Sequence, residues 1–259
     1  MLLPDQAPLG APIWVELFSS DPAKSHAFYS QLFAWNVLEM GPDYGNYFNF
    51  LKGDQMIAGG MMNQPESGMP DAWSVYLKTA DAAATQEAVA AHGGMVIVPT
   101  MDVMDLGRML VTVDVGGAAI GAWQPGTHRG FQAVGEASAP VWFELYTRDY
   151  DRCLEYYRDV FHWDVDTMDP TPEMRYSTLK DGEGEAWSAG MMDISGIFPD
   201  EINAQWVVYF GSDDVDASVA KAEELGGTIL EPATDTPYGR MATVADPTGA
   251  VFKIMKGNL

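Results

Sequence analysis

The order of apolar and polar positions predicts that strands and helices alternate along the chain. Trp14, Glu16 and Phe18 share one side of a predicted strand at 13–18, and the apolar residues between them take the other side. Asp21-Pro22 predicts the N-cap and first position of a helix. The later pattern predicts a hairpin over 46–51 and 56–62, a strand at 73–77, a helix over 81–92, a weak strand at 95–99, and strands at 108–113 and 118–123.

The second half of the chain repeats the first half. Residues 12–37 align with 140–165 without a gap at an offset of 128, and nine of the 26 aligned residues are identical. Such a match indicates a duplication, so every element of the first half is expected again in the second. We predict an α+β fold in which each repeat contains two βαβββ halves with mixed or mostly antiparallel sheets. The predicted boundaries are domain 1 at 8–125, a Gly-rich linker at 126–138, and domain 2 at 139–259.

Composition narrows the class of protein. The chain has 14 Lys and Arg against 37 Asp and Glu, a formal net charge of −23, which opposes binding to nucleic acid. The single cysteine, Cys153, excludes an internal disulfide and a thiolate metal cluster. No apolar run reaches membrane-spanning length, and the N-terminus has no pattern of a signal peptide. We therefore expect a cytoplasmic protein, monomeric or homodimeric, that does not act on membranes.

Two motifs resemble those of the vicinal oxygen chelate superfamily, which contains glyoxalase I, bleomycin-resistance proteins and extradiol dioxygenases. The first is the helix ending Phe28-Tyr29-Ser30-Gln31-Leu32-Phe33-Ala34-Trp35, and the second is the turn Asp246-Pro247-Thr248-Gly249 before the last strand. The pattern is most similar to actinobacterial proteins with two glyoxalase-like domains in tandem. The resemblance implies curved sheets that enclose cavities, but it does not fix the chemistry, because the fold hosts many activities.

The positions that ligate a metal ion in such families carry other residues in this chain. The resemblance places one ligand on the first strand, at Trp14 and Trp142, and another on the last strand, at Gly121 and Lys253. Tryptophan and glycine side chains offer no ligand atom, and lysine carries a positive charge. The expectation is therefore that no metal ion or other cofactor is used.

Glu16 and Glu144 are the candidate catalytic residues, because each lies between aromatic residues on one strand face. Desolvation there is expected to raise the pKa of the carboxyl group toward that of a useful acid or base; an ionised carboxylate would instead bind a flat cation. A structural alternative pairs each glutamate with the duplicated Arg108 or Arg240. The predicted ligand-binding residues are Trp14, Phe18, Trp142, Tyr146, Arg108, Arg240, Trp123 and Lys253, of which Lys253 either holds an anion or extends into solvent.

Three functions follow in order of preference. The first is bleomycin-resistance-like binding or sequestration of a small aromatic or cationic molecule without a metal ion. The second is a metal-independent lyase or isomerase that acts on a small carbonyl compound with Glu16 or Glu144 as acid or base. The third is a metal-dependent lyase of the glyoxalase I type, for which two carboxylates are too few ligands.

Overall fold

The computed structural model describes residues 4–64, 66, 68–168, 174–180 and 186–257. The first half contains β1 (Pro12–Ser19), α1 (Pro22–Phe33), β2 (Asn36–Glu39), β3 (Phe48–Lys52), β4 (Gln55–Met62), β5 (Ala72–Lys78), α2 (Ala82–Ala91), β6 (Met95–Val103), β7 (Gly107–Val113) and β8 (Ala119–Pro125). The second half contains β9 (Pro140–Thr147), α3 (Tyr150–Phe161), β10 (Val165–Thr167), β11 (Tyr176–Lys180), β12 (Ala186–Asp193), β13 (Gln205–Gly211), α4 (Val215–Glu224), β14 (Thr228–Thr236), β15 (Gly239–Ala245) and β16 (Val251–Gly257).

Each half of the chain forms one mixed sheet of eight strands. The strand orders are β2-β3-β4-β1-β5-β8-β7-β6 and β10-β11-β12-β9-β13-β16-β15-β14, so the second sheet repeats the topology of the first. The crossover pairs β1–β4, β5–β8, β9–β12 and β13–β16 are parallel, and the hairpins are antiparallel. The predicted α+β fold with four βαβββ halves is confirmed. The prediction missed β2, a four-residue strand with no buried position, and underestimated the nine-residue β6.

Aspartate caps start three of the four helices, as the sequence pattern predicts. The carboxylate of Asp21 accepts a hydrogen bond from the N–H of Lys24 at 3.1 Å, and Asp81 accepts two from the first turn of α2. Asp214 caps α4 in the same way. Asp149 precedes α3 without a capping side-chain hydrogen bond, and α3 is instead held by its long buried face.

The chain forms two compact units, each of which takes segments from both halves. The first unit contains Met1–Trp14, Val75–Gly130 and Phe143–Trp206, and the second contains Val15–Ser74, Phe131–Trp142 and Val207–Leu259. Each unit therefore combines one βαβββ module from the first repeat with one from the second.

A buried chain of hydrogen bonds joins the two repeats inside the first unit. The indole of Trp206 donates to the hydroxyl of Tyr157 at 2.9 Å, and that hydroxyl donates to Asp114 at 2.9 Å. The other oxygen of Asp114 accepts the backbone N–H groups of Gly116 and Ala118. Burial raises the pKa of Asp114 above its ordinary value, although these hydrogen bonds act in the opposite direction.

The second unit contains the same arrangement with the repeats exchanged. Trp73 donates to the hydroxyl of Tyr29 at 2.9 Å, and Tyr29 is hydrogen-bonded to Asp246. The four tryptophans that recur in both repeats, Trp35, Trp73, Trp163 and Trp206, are all buried and pack in the cores of the two units. Their indole groups also make specific hydrogen bonds, a role that packing alone does not require.

Candidate functional site

The family's metal positions do not fit a metal ion in this chain. The aromatic ring of Tyr76 covers Gly121, and a Cβ atom on that glycine would lie 2.3 Å from the ring. Trp14 packs edge-to-face against His128, with ring centroids 4.4 Å apart. Within the ranges that the structure describes, no group of three or more His, Cys, Asp and Glu side chains could hold a metal ion. Trp14, Gly121 and Lys253 therefore do not supply the ligands that the family uses at these positions.

Lys253, at the corresponding position of the second repeat, forms an ion pair in the second unit. Its ammonium group lies 3.0 Å from Glu231, which also accepts a hydrogen bond from Thr243. Burial raises the pKa of Glu231, but the bond from Thr243 and the charge of Lys253 outweigh it, so the pKa lies below its ordinary value. The predicted extension of Lys253 into solvent is wrong, because the residue is only 7% exposed and its charge is already paired.

Glu16 accepts a hydrogen bond from a tyrosine that the sequence analysis did not select. The phenol of Tyr47, just before β3, donates to the Oε1 atom of Glu16 at 2.7 Å in the second unit. Gly59 lies opposite Glu16 in the β1–β4 register, and a Cβ atom there would lie 1.8 Å from the Tyr47 oxygen. The missing side chain of Gly59 therefore makes the space through which Tyr47 reaches the carboxylate.

The second repeat preserves these residue types at the same register positions. Glu144 lies opposite Gly190 in the β9–β12 pair, and Tyr176 begins β11 as its counterpart of Tyr47. In this register Gly190 is the counterpart of Gly59. The Gly-Met-Met triplets at 60–62 and 190–192 would instead align Gly190 with Gly60, one residue away. Glu144 is more deeply buried than Glu16, at 6% exposure.

Aromatic residues of the first unit stand next to Glu144 along its strand. Tyr146 lies two residues further on β9, and its ring packs against Phe198 at a centroid distance of 5.2 Å. Phe198 belongs to the loop after β12, which Arg148 fixes by donating to the backbone oxygens of Ile194, Phe198, Pro199 and Ile202. Tyr146, a predicted ligand-binding residue, therefore packs against a loop residue that the sequence pattern did not indicate.

Trp14 and Trp123, two predicted ligand-binding residues, both contact the ring of His128 in the first unit. The imidazole ring is 4.4 Å from the Trp14 centroid and 5.5 Å from the Trp123 centroid, edge-to-face in both cases. The backbone oxygen of His128 also accepts a hydrogen bond from the Trp123 indole at 2.9 Å. Burial lowers the pKa of His128 to about 4, so the ring is neutral at pH 7.

The duplicated arginines have other carboxylate partners than the predicted glutamates. Arg108 pairs with Asp102 at 2.9 Å across the β6–β7 hairpin, and Arg240 binds Asp216 and Asp235 at 2.6–3.0 Å. The structural alternative in which these arginines neutralise Glu16 and Glu144 is therefore wrong. Asp102 and Asp235, which lie opposite Arg108 and Arg240 in the strand registers, pair with these arginines instead.

A cleft of about 390 Å³ lies at one edge of the second unit, and no sequence motif pointed to it. It is lined by Ser20, Asn63, Gln64, Met69, Pro70, Asp71, Thr248 and Gly249. The carboxylate of Asp71 accepts hydrogen bonds from Ser20 and Asn63 at 2.7–2.8 Å. Burial raises the pKa of Asp71, but these bonds prevail and bring it below its ordinary value. Asp71 therefore fixes the end of β1 rather than offering an acid.

Phe18 and Trp142, the remaining predicted ligand-binding residues, are half-buried on β1 and β9. The residues that the sequence pattern did not indicate are Tyr47, Tyr176, His128 and Phe198. A signal existed for the tyrosine pair, since Tyr47 lies just before β3 and Tyr176 is the first residue of β11, the equivalent strand of the second repeat. It was hidden because the offset between repeats grows from 128 at β1 to 131 at β4.

Among the described helices, none has the length and apolar character needed to cross a bilayer.

Comparison with known proteins adds a family match over both repeats. The model of the Glyoxalase/Bleomycin resistance protein/Dioxygenase superfamily matches residues 12–120 and 139–254. "Putative glyoxylase CFP32" of Mycobacterium tuberculosis is 35% identical over 253 residues, covering 95% of each chain. "Anthracycline biosynthesis protein DnrV" of Streptomyces peucetius is 32% identical over 265 residues, covering 95% of this chain and 93% of DnrV.

Solved structures share the fold at low sequence identity. The Mn(II)-bound glyoxalase from Novosphingobium aromaticivorans has a TM-score of 0.63 and 13% identity, covering 96% of this chain and 82% of that chain. The 2,3-dioxygenase LapB from Pseudomonas sp. KL28 has a TM-score of 0.60 and 13% identity, covering 97% and 94%. At this identity the likeness concerns the fold and not the chemistry.

Proposed function

Because the chain belongs to the Glyoxalase/Bleomycin resistance protein/Dioxygenase superfamily, we propose that it binds a small aromatic or cationic molecule, without a metal ion, on the strand faces that carry Glu16 and Glu144. The observation that carries this proposal is the Tyr47–Glu16 pair over Gly59. A carboxylate held by a phenol beside aromatic side chains is a receptor for a flat ligand with a positive or hydrogen-donating edge.

Three further features support this choice of ligand. The net charge of −23 favours the approach of cations over anions. Tyr76 covers Gly121 and Glu231 pairs with Lys253, so neither of these positions offers a metal ligand, which agrees with a ligand held without a metal ion. The likeness to DnrV, which is named for anthracycline biosynthesis, agrees with a ligand that contains fused aromatic rings.

The proposal is tested with three probes of similar shape and different charge: 1-naphthylmethylamine, 1-naphthylmethanol and 1-naphthoic acid. Binding to chelator-treated protein is measured by calorimetry and by quenching of tryptophan fluorescence. We expect the amine to bind about tenfold more tightly than the acid, since one favourable charge contact contributes roughly 1–2 kcal/mol in a partly desolvated site. Equal binding of all three probes, or none, would contradict the proposal.

Single variants assign the preference to a site. Glu16→Gln and Glu144→Gln keep the side-chain shape and remove the charge, and at least one should abolish the preference for the amine. Glu87→Gln, on the exposed side of α2, is the matched control and should leave the preference unchanged. Elemental analysis of the untagged protein accompanies these measurements, and a stoichiometric transition metal would overturn the metal-independent part of the proposal.

A second candidate function is a metal-independent lyase or isomerase that acts on a small carbonyl compound. The 2.7 Å contact between the Tyr47 phenol and Glu16 favours it, because such a pair can pass a proton to and from a bound substrate. Saturable turnover of a 2-oxoaldehyde after chelator treatment, lost in Glu16→Gln or Glu144→Gln, would establish this function over simple binding. Turnover that needs an added divalent metal would instead favour glyoxalase I-type chemistry.

A further inference from the structure

The first repeat holds one of its own side chains between two tryptophans. The ring of His128 makes edge-to-face contacts with Trp14 and Trp123, which are 3% and 7% exposed. His128 itself is half-buried. Two aromatic walls around one flat, partly accessible ring are the geometry in which proteins hold aromatic ligands.

The backbone on both sides of His128 is fixed separately from its ring. The N–H groups of Gly126 and His128 both donate to the backbone oxygen of Leu106, at 2.8 and 3.0 Å. Thr127 donates to the backbone oxygen of Asp105 through its N–H and its hydroxyl. None of these hydrogen bonds involves the imidazole, so removal or rotation of the ring should leave the segment attached to the turn before β7.

An apolar surface continues from Trp123 across the neighbouring strands of the first unit. Met109 lies opposite Trp123 in the β7–β8 register, and Met101 lies opposite Met109 in the β6–β7 register, so the three side chains share one face. Met101 is 49% exposed. Methionine adapts its shape to the molecule that it contacts, which suits a surface beyond a ring-sized pocket.

We infer that the space between Trp14 and Trp123 is a binding site for a neutral, flat aromatic ring, and that His128 occupies it as an intramolecular stand-in for that ligand. The inference rests on the proposed function for the aromatic class of the ligand, and it adds the place where the uncharged ring of that ligand binds. The ligand's ring would displace the imidazole, and its remaining atoms would extend over Met109 and Met101.

Chemical rescue provides the test. His128→Gly removes the ring, and imidazole added at pH 8, where it is mostly neutral, should occupy the space and quench tryptophan fluorescence in a saturable manner. We expect the apparent affinity for imidazole to be at least about tenfold higher in His128→Gly than in the unchanged protein. His92→Gly is the matched control, because His92 is exposed at the end of α2 and its ring faces the carboxylate of Asp159.

Indole, a larger neutral ring, tests displacement in the unchanged protein. It should bind His128→Gly more tightly, since no side chain has to leave, and in the unchanged protein it should return the NMR titration of His128 from about pH 4 to near 6.5. If His128→Gly does not fold, His128→Ala and this NMR titration serve instead. A folded variant that binds imidazole no better than His92→Gly overturns the inference.

The two proposals fail differently. Imidazole rescue with no binding of the naphthyl probes to the unchanged protein would retain this site and refute the proposed function. Naphthyl binding that depends on Glu16 or Glu144, with no imidazole rescue, would refute this site and retain the proposed function.

Discussion

Tyr157 donates a hydrogen bond to Asp114 at 2.9 Å, although the two residues come from different repeats. Tyr29 and Asp246 make the reciprocal connection in the second unit. The turn before the last strand of each repeat therefore has a structural purpose beyond chain reversal. Its aspartate, Asp114 or Asp246, is the buried acceptor for the tyrosine of the other repeat.

Removal of this hydroxyl should destabilise the protein measurably. Tyr157→Phe leaves the Asp114 carboxylate and the Trp206 indole without their shared partner, which costs about 1–3 kcal/mol of unfolding free energy. Denaturant titration measures the change. Tyr44→Phe, at an exposed tyrosine, is the control and should stay within about 0.5 kcal/mol of the unchanged protein. A loss no larger than that of the control would show that the hydrogen bond contributes nothing net.

The glycine before β1 is fixed by the other repeat. Gly10 has φ of 78°, its oxygen accepts from the Trp163 indole, and a Cβ atom there would lie 2.3 Å from the Phe161 oxygen. Gly10→Ala should therefore cost about 2–4 kcal/mol, from the left-handed backbone and the collision together. Gly45→Ala has a similar φ and nothing within 4 Å, so it should cost only about 1 kcal/mol. Equal losses would show that the collision relaxes without cost.

Sequence analysis predicted the elements because each carries a local signal. Asp21, Asp81 and Asp214 begin helices through short-range hydrogen bonds, and alternation defines β1 and β9 without knowledge of the fold. Because the chain is duplicated, each element is indicated twice, once in each repeat. The exchange of modules between repeats left no such signal, because the contacts of Tyr157 and Tyr29 join residues that are distant in sequence.

The candidate site was predictable only in part, for the same reason. Strand alternation placed Glu16 beside Trp14 and Phe18. The hydrogen-bond donor to Glu16, however, is Tyr47 in the segment just before β3, and the ring against Trp14 comes from the predicted linker. The predicted linker is held to the fold by hydrogen bonds. The backbone N–H of Gln132 donates to the oxygen of Met56, and the side-chain oxygen of Gln132 accepts from the N–H of Met56. Gly and small polar residues indicate irregular structure but cannot distinguish a mobile segment from a fixed one.

The buried imidazole of His128 should make stability depend on pH. Its pKa is about 4 in the folded protein against 6.5 for an exposed histidine, so the unfolded chain binds more protons between these values. The unfolding free energy is therefore not reduced by His128 above pH 6.5, and it decreases as the pH falls toward 4. His128→Phe keeps a flat ring but cannot be protonated. Over this range its unfolding free energy should therefore decrease by about 1–3 kcal/mol less than that of the unchanged protein.

The measurement compares denaturant titrations at pH 7 and pH 4.5. His26, whose pKa burial also lowers, contributes to the decrease in both proteins, so the difference between them isolates His128. Parallel decreases in the unchanged protein and in His128→Phe would show that His128 is protonated in the folded state without cost.

Tyr76 and Gly121 should be energetically coupled, because the ring of one occupies the side-chain position of the other. Gly121→Ala alone forces the buried ring of Tyr76 to move and should cost about 1–3 kcal/mol. Tyr76→Val alone leaves a cavity and should cost about 2–4 kcal/mol.

The double variant tests this relationship, since the alanine methyl group then fills part of the space that the ring leaves. Its loss should be smaller than the sum of the two single losses by about 1–3 kcal/mol, measured as a double-mutant cycle. Additive losses would show that Tyr76 does not restrict residue 121. Strong coupling would mean that a carboxylate cannot return to the family's last-strand ligand position by one substitution, because the tyrosine must change with it. The departure from the metal pattern would then be a property of the packed strand pair β5–β8 and not of Gly121 alone.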